Sequence, residues 1–160
     1  MRPACRPESD VMAHEYTVEL RFLGDDLDPE EITKALKLTP SSLWAAGDPS
    51  PVRYQPHWSY NGHDAPGFSE HWADLDAGLS FLLGRLDNRL PEIRLIAQNY
   101  QAVWWCGHFQ SSFGGGPMLS SRALSDLARS GIPLFIDCYF SDAESDRKST
   151  RLNSSHVLNS

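Results

Sequence analysis

From Trp72 to Leu90 the apolar residues Trp72, Leu75, Leu79, Leu82, Leu83, Leu86 and Leu90 recur at helical spacing, and Pro91 follows them. The spacing predicts a helix from about Ser69 to Arg89, stopped where proline withdraws a backbone donor. One face of that helix is a broad apolar stripe, which is stable only when something covers it. The cover has the other period: between Glu15 and Leu23, Tyr16, Val18, Leu20 and Phe22 alternate with Thr17, Glu19 and Arg21, the pattern of a half-buried strand. A chain that carries both periods lays helices on a sheet.

The remaining elements follow from caps and breakers. Asp28 precedes Pro29, Glu30 and Glu31, so Asp28 reads as an N-cap, Pro29 as the first helical residue and Glu31 as the return arm of a capping box. Leu27 and Ile32 have hydrophobic-staple spacing, and the helix is expected to run to Lys37. Leu38 to Val52 holds Pro40, Gly47, Pro49 and Pro51 and reads as a long loop around Trp44. A second strand is expected over Arg53 to Tyr60, demoted toward an edge by Pro56. Ala102 to Phe109 reads as a third strand. A helix follows from about Leu119 to Ser130, with Leu124, Leu127 and Ala128 inward and Gly131 as its C-terminal cap. Leu134 to Phe140 is the last strand, with Phe135, Asp137 and Tyr139 on one face.

This order gives an α+β domain: a four-stranded antiparallel sheet backed by helices, ferredoxin-like in its split βαβ plan, with one inserted helix. One face of such a sheet has no helical cover. In that plan the first and last strands are neighbours, which would let Arg21 meet Asp137 across the uncovered face.

The domain is assigned to residues 12–145. Residues 1–11 have no apolar core of a secretory signal and read as a disordered or mis-called extension. Residues 146–160 are polar and aperiodic, and residues 146–156 resemble the translation of a common sequencing adapter, so the tail is read as non-native or disordered. Between these ends lie 9 basic and 18 acidic residues, a formal charge of −9. That charge argues against nucleic acid and anionic membrane and suits a basic protein partner. Cys5, Cys106 and Cys138 show no CxxC spacing, and without an export signal they read as reduced thiols of a cytoplasmic protein.

Several short patterns have an order as well as an identity: Phe22 with Gly24, the Asp28-Pro29 helix start, Pro40-Ser41-x-x-Trp44-x-x-Gly47-Asp48, Trp58-x-Tyr60, and Asp137-x-Tyr139. Together, from Glu15 to about Phe140, they resemble a bacterial domain-of-unknown-function family, number 4279. The resemblance implies no activity and no catalytic residues. It is compatible with an immunity or partner-binding role.

Four constellations resemble chemical sites but have plainer readings. His57, His63 and His71, with Glu70 and Asp74 near, are metal-ligand types, yet only His71 and Asp74 share helical spacing, so solvated histidines are expected and no metal or other cofactor. Cys106 and His108 alternate on one strand face like a nucleophile and its base, but no third member follows, and a packed thiol beside a rim imidazole is expected. Gly114 to Gly116 precede a helix without the Lys-Ser/Thr ending of a phosphate loop. The third strand lacks the Lys/Arg-Gly-Phe pattern of RNA-binding sheets.

The aromatic set carries more weight, with five Trp in 160 residues. Arg21, Trp44, Asp48, Trp58, Asp137 and Tyr139 are the candidate binding residues, joined by Trp104 or Trp105 from the third strand. Trp44 and Trp58 have a second reading, as core residues that lock the loop to the sheet. The expectation is a non-enzymatic protein-binding module; its rival is a small-molecule or catalytic pocket under the Trp44 loop, built from Arg21, Asp48 and Asp137.

Overall fold

The computed structural model describes residues 13–48 and 55–141; Cys5, both terminal extensions and the loop residues 49–54 lie outside that description. The elements are β1 (His14–Leu23), α1 (Pro29–Leu36), β2 (Ser42–Trp44), β3 (His57–Tyr60), α2 (Leu75–Leu86), a 3-10 turn (Asp87–Arg89), α3 (Leu90–Ala97), β4 (Gln101–Gln110), α4 (Ser121–Ser130) and β5 (Leu134–Phe140).

Two caps form where the sequence puts them, at Asp28 and Gly131, and Ser120 adds a third. Asp28 accepts from the Glu30 amide, Ser120 accepts from the Ala123 amide, and Gly131 takes the left-handed conformation that ends α4. Leu27 and Ile32 are both buried as the staple requires. Lys37 closes α1 at φ 55°. The Leu-rich stripe divides instead of running on: α2 ends at Leu86, and Pro91 lies in the first turn of α3, where its missing N–H costs nothing. On α4, Ala123 and Leu127 face inward, while Leu124 and Ala128, expected inward, are exposed.

The five strands form one mixed sheet in the order β2-β3-β1-β4-β5. This corrects the four-stranded antiparallel expectation in two places. Ser42 to Trp44, expected as loop, pairs antiparallel with β3 as an edge strand, because Leu43 and Trp44 match Trp58 and His57 in register. β1, α1 and β2 thus make a split βαβ unit with β3 between the strands. The last strand lies parallel to β4, not beside β1, because the α4 crossover returns the chain in the β4 direction. Arg21 and Asp137 are therefore separated by the whole of β4.

One sheet face carries all four helices. Tyr16, Val18, Leu20 and Phe22 of β1, Trp58 and Tyr60 of β3, and Ala102, Trp104 and Cys106 of β4 meet Leu75, Leu79, Leu82, Leu86 and Ile93 in the main core. The buried indoles are satisfied: Trp58 Nε1 donates to Thr33 Oγ1 at 3.0 Å, and Trp104 Nε1 to Ser130 Oγ at 2.9 Å. α2 approaches β1 closely at Gly78, where a Cβ would meet the Trp72 ring at 3.0 Å and Val18 at 3.2 Å.

Candidate functional site

Among the described residues no helix lies on the other sheet face. Strand alternation and the registers assign it Glu15, Thr17, Glu19, Arg21 and Leu23 of β1, Val103, Trp105, Gly107 and Phe109 of β4, and Phe135, Asp137 and Tyr139 of β5. His57 and Ser59 of β3 extend the face toward β2, where Trp44 pairs with His57.

Two tiers stand out. In the first, Leu23, Val103 and Trp105 form a small second core, packed without any helix. Their lid is Arg21, whose guanidinium carbon lies 3.8 Å from the Trp105 ring centroid while its Nε donates to Glu19 Oε2 at 2.9 Å. Phe135 packs against the far side of this tier at 4.7 Å between ring centroids. In the second, Phe109 and Tyr139 stack at 4.9 Å and 12°. The Tyr139 hydroxyl donates to Asp137 Oδ2. Burial first, and then that hydrogen bond, push the Tyr139 hydroxyl up to about 12. Glu15 and His71 border the tier, with His71 Nδ1 3.7 Å from Glu15 Oε2 and its ring edge-on to Phe109. Gly107 keeps the middle of the face shallow, since a Cβ there would meet Thr17 Oγ1 at 2.6 Å and the Phe109 ring at 2.9 Å.

Of the sequence candidates, Arg21, Trp44, Asp137 and Tyr139 share this face, and Trp105 rather than Trp104 joins them. Trp58 does not: it is fully buried among the helices, so it anchors and cannot be offered to a partner. Asp48 closes a turn, its Oδ2 accepting from the Ala45 amide at 2.8 Å. The pocket expected from Arg21, Asp48 and Asp137 does not assemble. Asp48 follows one edge strand and Asp137 lies on the other, about 19 Å away at four interstrand spacings. A cleft of about 610 Å³ is instead on the helical side, between α2 and α4, lined by residues that include Asp76, Asp87, Ser120, Arg122 and Asp126. Glu19, Phe109 and Phe135 were missed as site residues; their signal was the alternation of β1, β4 and β5, readable only once the strand order is known.

The histidines disperse. His57 Nε2 contacts Ser42 Oγ at 3.0 Å, His63 packs edge-on against Tyr60, and His71 belongs to the Phe109 tier. Among the described residues no group of three or more His, Cys, Asp and Glu could hold a metal ion, and no helix is long and apolar enough to cross a membrane. Cys106 lies deep in the core, and burial pushes its thiol up to about 12. Its expected neighbour His108 turns to other partners.

Fold and face define a small α+β domain with helices on one side of a mixed sheet and an aromatic, charged surface on the other. The chain belongs to the domain-of-unknown-function family 4279 (DUF4279), whose model matches residues 14–141. Neither the curated proteins nor the solved structures offer a match to it.

Proposed function

We propose that this chain is a non-enzymatic protein-binding module that takes a basic segment of a partner on the helix-free face of its sheet. The observation that carries the reading is the seat of Arg21, a guanidinium held over the Trp105 ring and bonded to Glu19. The face thus contains, within its own chain, the arrangement by which a partner's arginine would bind. The second tier repeats the ingredients, an aromatic pair beside a carboxylate, and among the described residues Asp137 has no cationic partner. Stacking and charge pairing are what planar guanidinium groups select for. The excess of acidic residues would draw such a segment in. An immunity-type role, in which the module masks a basic partner, is the narrower form of the same reading.

The test is a titration of the full chain into labelled peptides of equal length, one arginine-rich and one glutamate-rich, followed by fluorescence anisotropy. Binding of the arginine-rich peptide alone, weakened about tenfold by Asp137→Asn, supports the reading. Equal binding of both peptides, or no effect of Asp137→Asn, refutes it.

A further inference from the structure

At the end of the sheet that Cys138 occupies, three side chains form a hydrogen-bonded chain. His14 Nε2 is 2.6 Å from the Gly114 carbonyl oxygen, which can only accept. In its neutral form His14 therefore carries its proton on Nε2 and presents a bare Nδ1. That Nδ1 lies 2.9 Å from His108 Nε2, which must donate. His108 is left with a bare Nδ1, and it faces Cys138 Sγ at 4.0 Å. The polarity of the chain is set from one end to the other by a single carbonyl. The base is held rigidly: His108 is 4% exposed and stacks on Tyr16 at 4.6 Å between ring centroids. Burial, and then His14, lower its pKa from the ordinary 6.5, which keeps the imidazole unprotonated near neutral pH. The thiol, by contrast, is exposed. The register explains the assembly: His14 lies opposite Gln110 and Tyr16 opposite His108 across β1 and β4, while Cys138 lies beside His108 across β4 and β5. The His108 partner in a thiol–imidazole pair is therefore Cys138, thirty residues away, and not Cys106, two residues away, which is sealed in the core.

We propose that Cys138 is a nucleophilic thiol site served by a His108–His14 relay, and that it takes low-molecular-weight disulfides by thiol–disulfide exchange. In the exchange the Cys138 thiol proton passes to His108 Nδ1 as Sγ attacks one sulfur of the disulfide. The protein–small-molecule S–S bond forms, the original S–S bond breaks, and the departing thiolate takes the proton back from His108 Nδ1. No other oxidant or reductant enters. His108 Nε2–H keeps its bond to His14 throughout, which fixes the ring with Nδ1 toward the thiol. A separation of 4.0 Å is of the looser kind that nucleophile–base pairs show before substrate arrives.

The test is the rate at which oxidised glutathione modifies Cys138 in the full chain, read at that residue by peptide mass spectrometry between pH 6 and 9. His14 and Tyr16 are the titratable side chains that contact His108 besides Cys138. The expected wild-type rate is nearly level from pH 7 to 8.5 and exceeds that of folded His108→Gln by roughly tenfold or more at pH 7. His14→Ala should fall between them. A wild-type rate that climbs about tenfold per pH unit from about pH 6 to 7.5 and bends over only near the ordinary thiol value of about 8.5, as for an unassisted thiol, overturns the proposal even if no variant folds. So does a His108→Gln profile that matches the wild type.

Discussion

Trp104 Nε1 donates to Ser130 Oγ at 2.9 Å, both side chains fully buried. Ser130 Oγ also accepts from the Ile132 amide and donates to the Leu127 carbonyl, so one hydroxyl ties the middle of the sheet to the end of α4 and the start of β5. Ser130→Ala leaves two buried donors without an acceptor and is expected to cost roughly 2 kcal/mol or more, read as a lower urea midpoint at unchanged slope.

The close approach of α2 to β1 makes two glycines of one helix behave oppositely. Gly78→Ala would drive a Cβ into Trp72 and Val18 and is expected to destabilise by about 1–3 kcal/mol. Gly84→Ala meets nothing within 4 Å and is expected to stabilise by about 0.5–1 kcal/mol through helix propensity. Thermal unfolding of the two variants compares them directly.

Arg21 works as a lid as well as a charge. Arg21→Ala uncovers Trp105 and removes both the ring contact and the Glu19 pair, for an expected loss of about 1 kcal/mol with the fold intact. Trp105 emission should shift to the red, and Trp104→Phe in the same background should leave that shift in place.

Two pH limits follow from the shifted groups. Tyr60 and Tyr139 are each pushed up to about 12, chiefly by burial and then by hydrogen bonds to Asp64 and Asp137. Their folded values lie above the unfolded value near 10, so their contribution is complete below pH 10 and is lost as pH rises toward 12. His57 and His108 are lowered chiefly by burial, so their contribution is complete above about pH 6.5 and is lost as pH falls below it. Urea midpoints should hold level between these limits. Tyr60→Phe should flatten the alkaline fall and His108→Gln the acid one.

Local signals in the sequence had unequal reach. Asp28 and Gly131 announced helix ends because capping is settled within a few residues, and Leu134 to Phe140 was legible as a strand because its alternation is unbroken. Ser42 to Trp44 was not, since three residues flanked by proline and glycine become a strand only when β3 supplies the partner. Pro91 misled because proline ends one helix and opens another by the same missing donor. The uncovered face followed from counting helices, but its membership depended on strand order: Arg21 and Asp137 lie on it with β4 between them. Trp58 shows the limit most clearly, because an aromatic residue on a strand reads alike whether it faces solvent or, as here, Thr33 and the helices.

The most direct test of the helix-free face as the binding surface is a map of backbone amide shifts in the full chain as the arginine-rich peptide is added. The expected shifts cluster on Glu15, Glu19, Trp105, Phe109, Asp137 and Tyr139 and need about ten times more peptide to develop in Asp137→Asn. Shifts that cluster instead on Asp76, Asp87 and Asp126, around the cleft between α2 and α4, would contradict it.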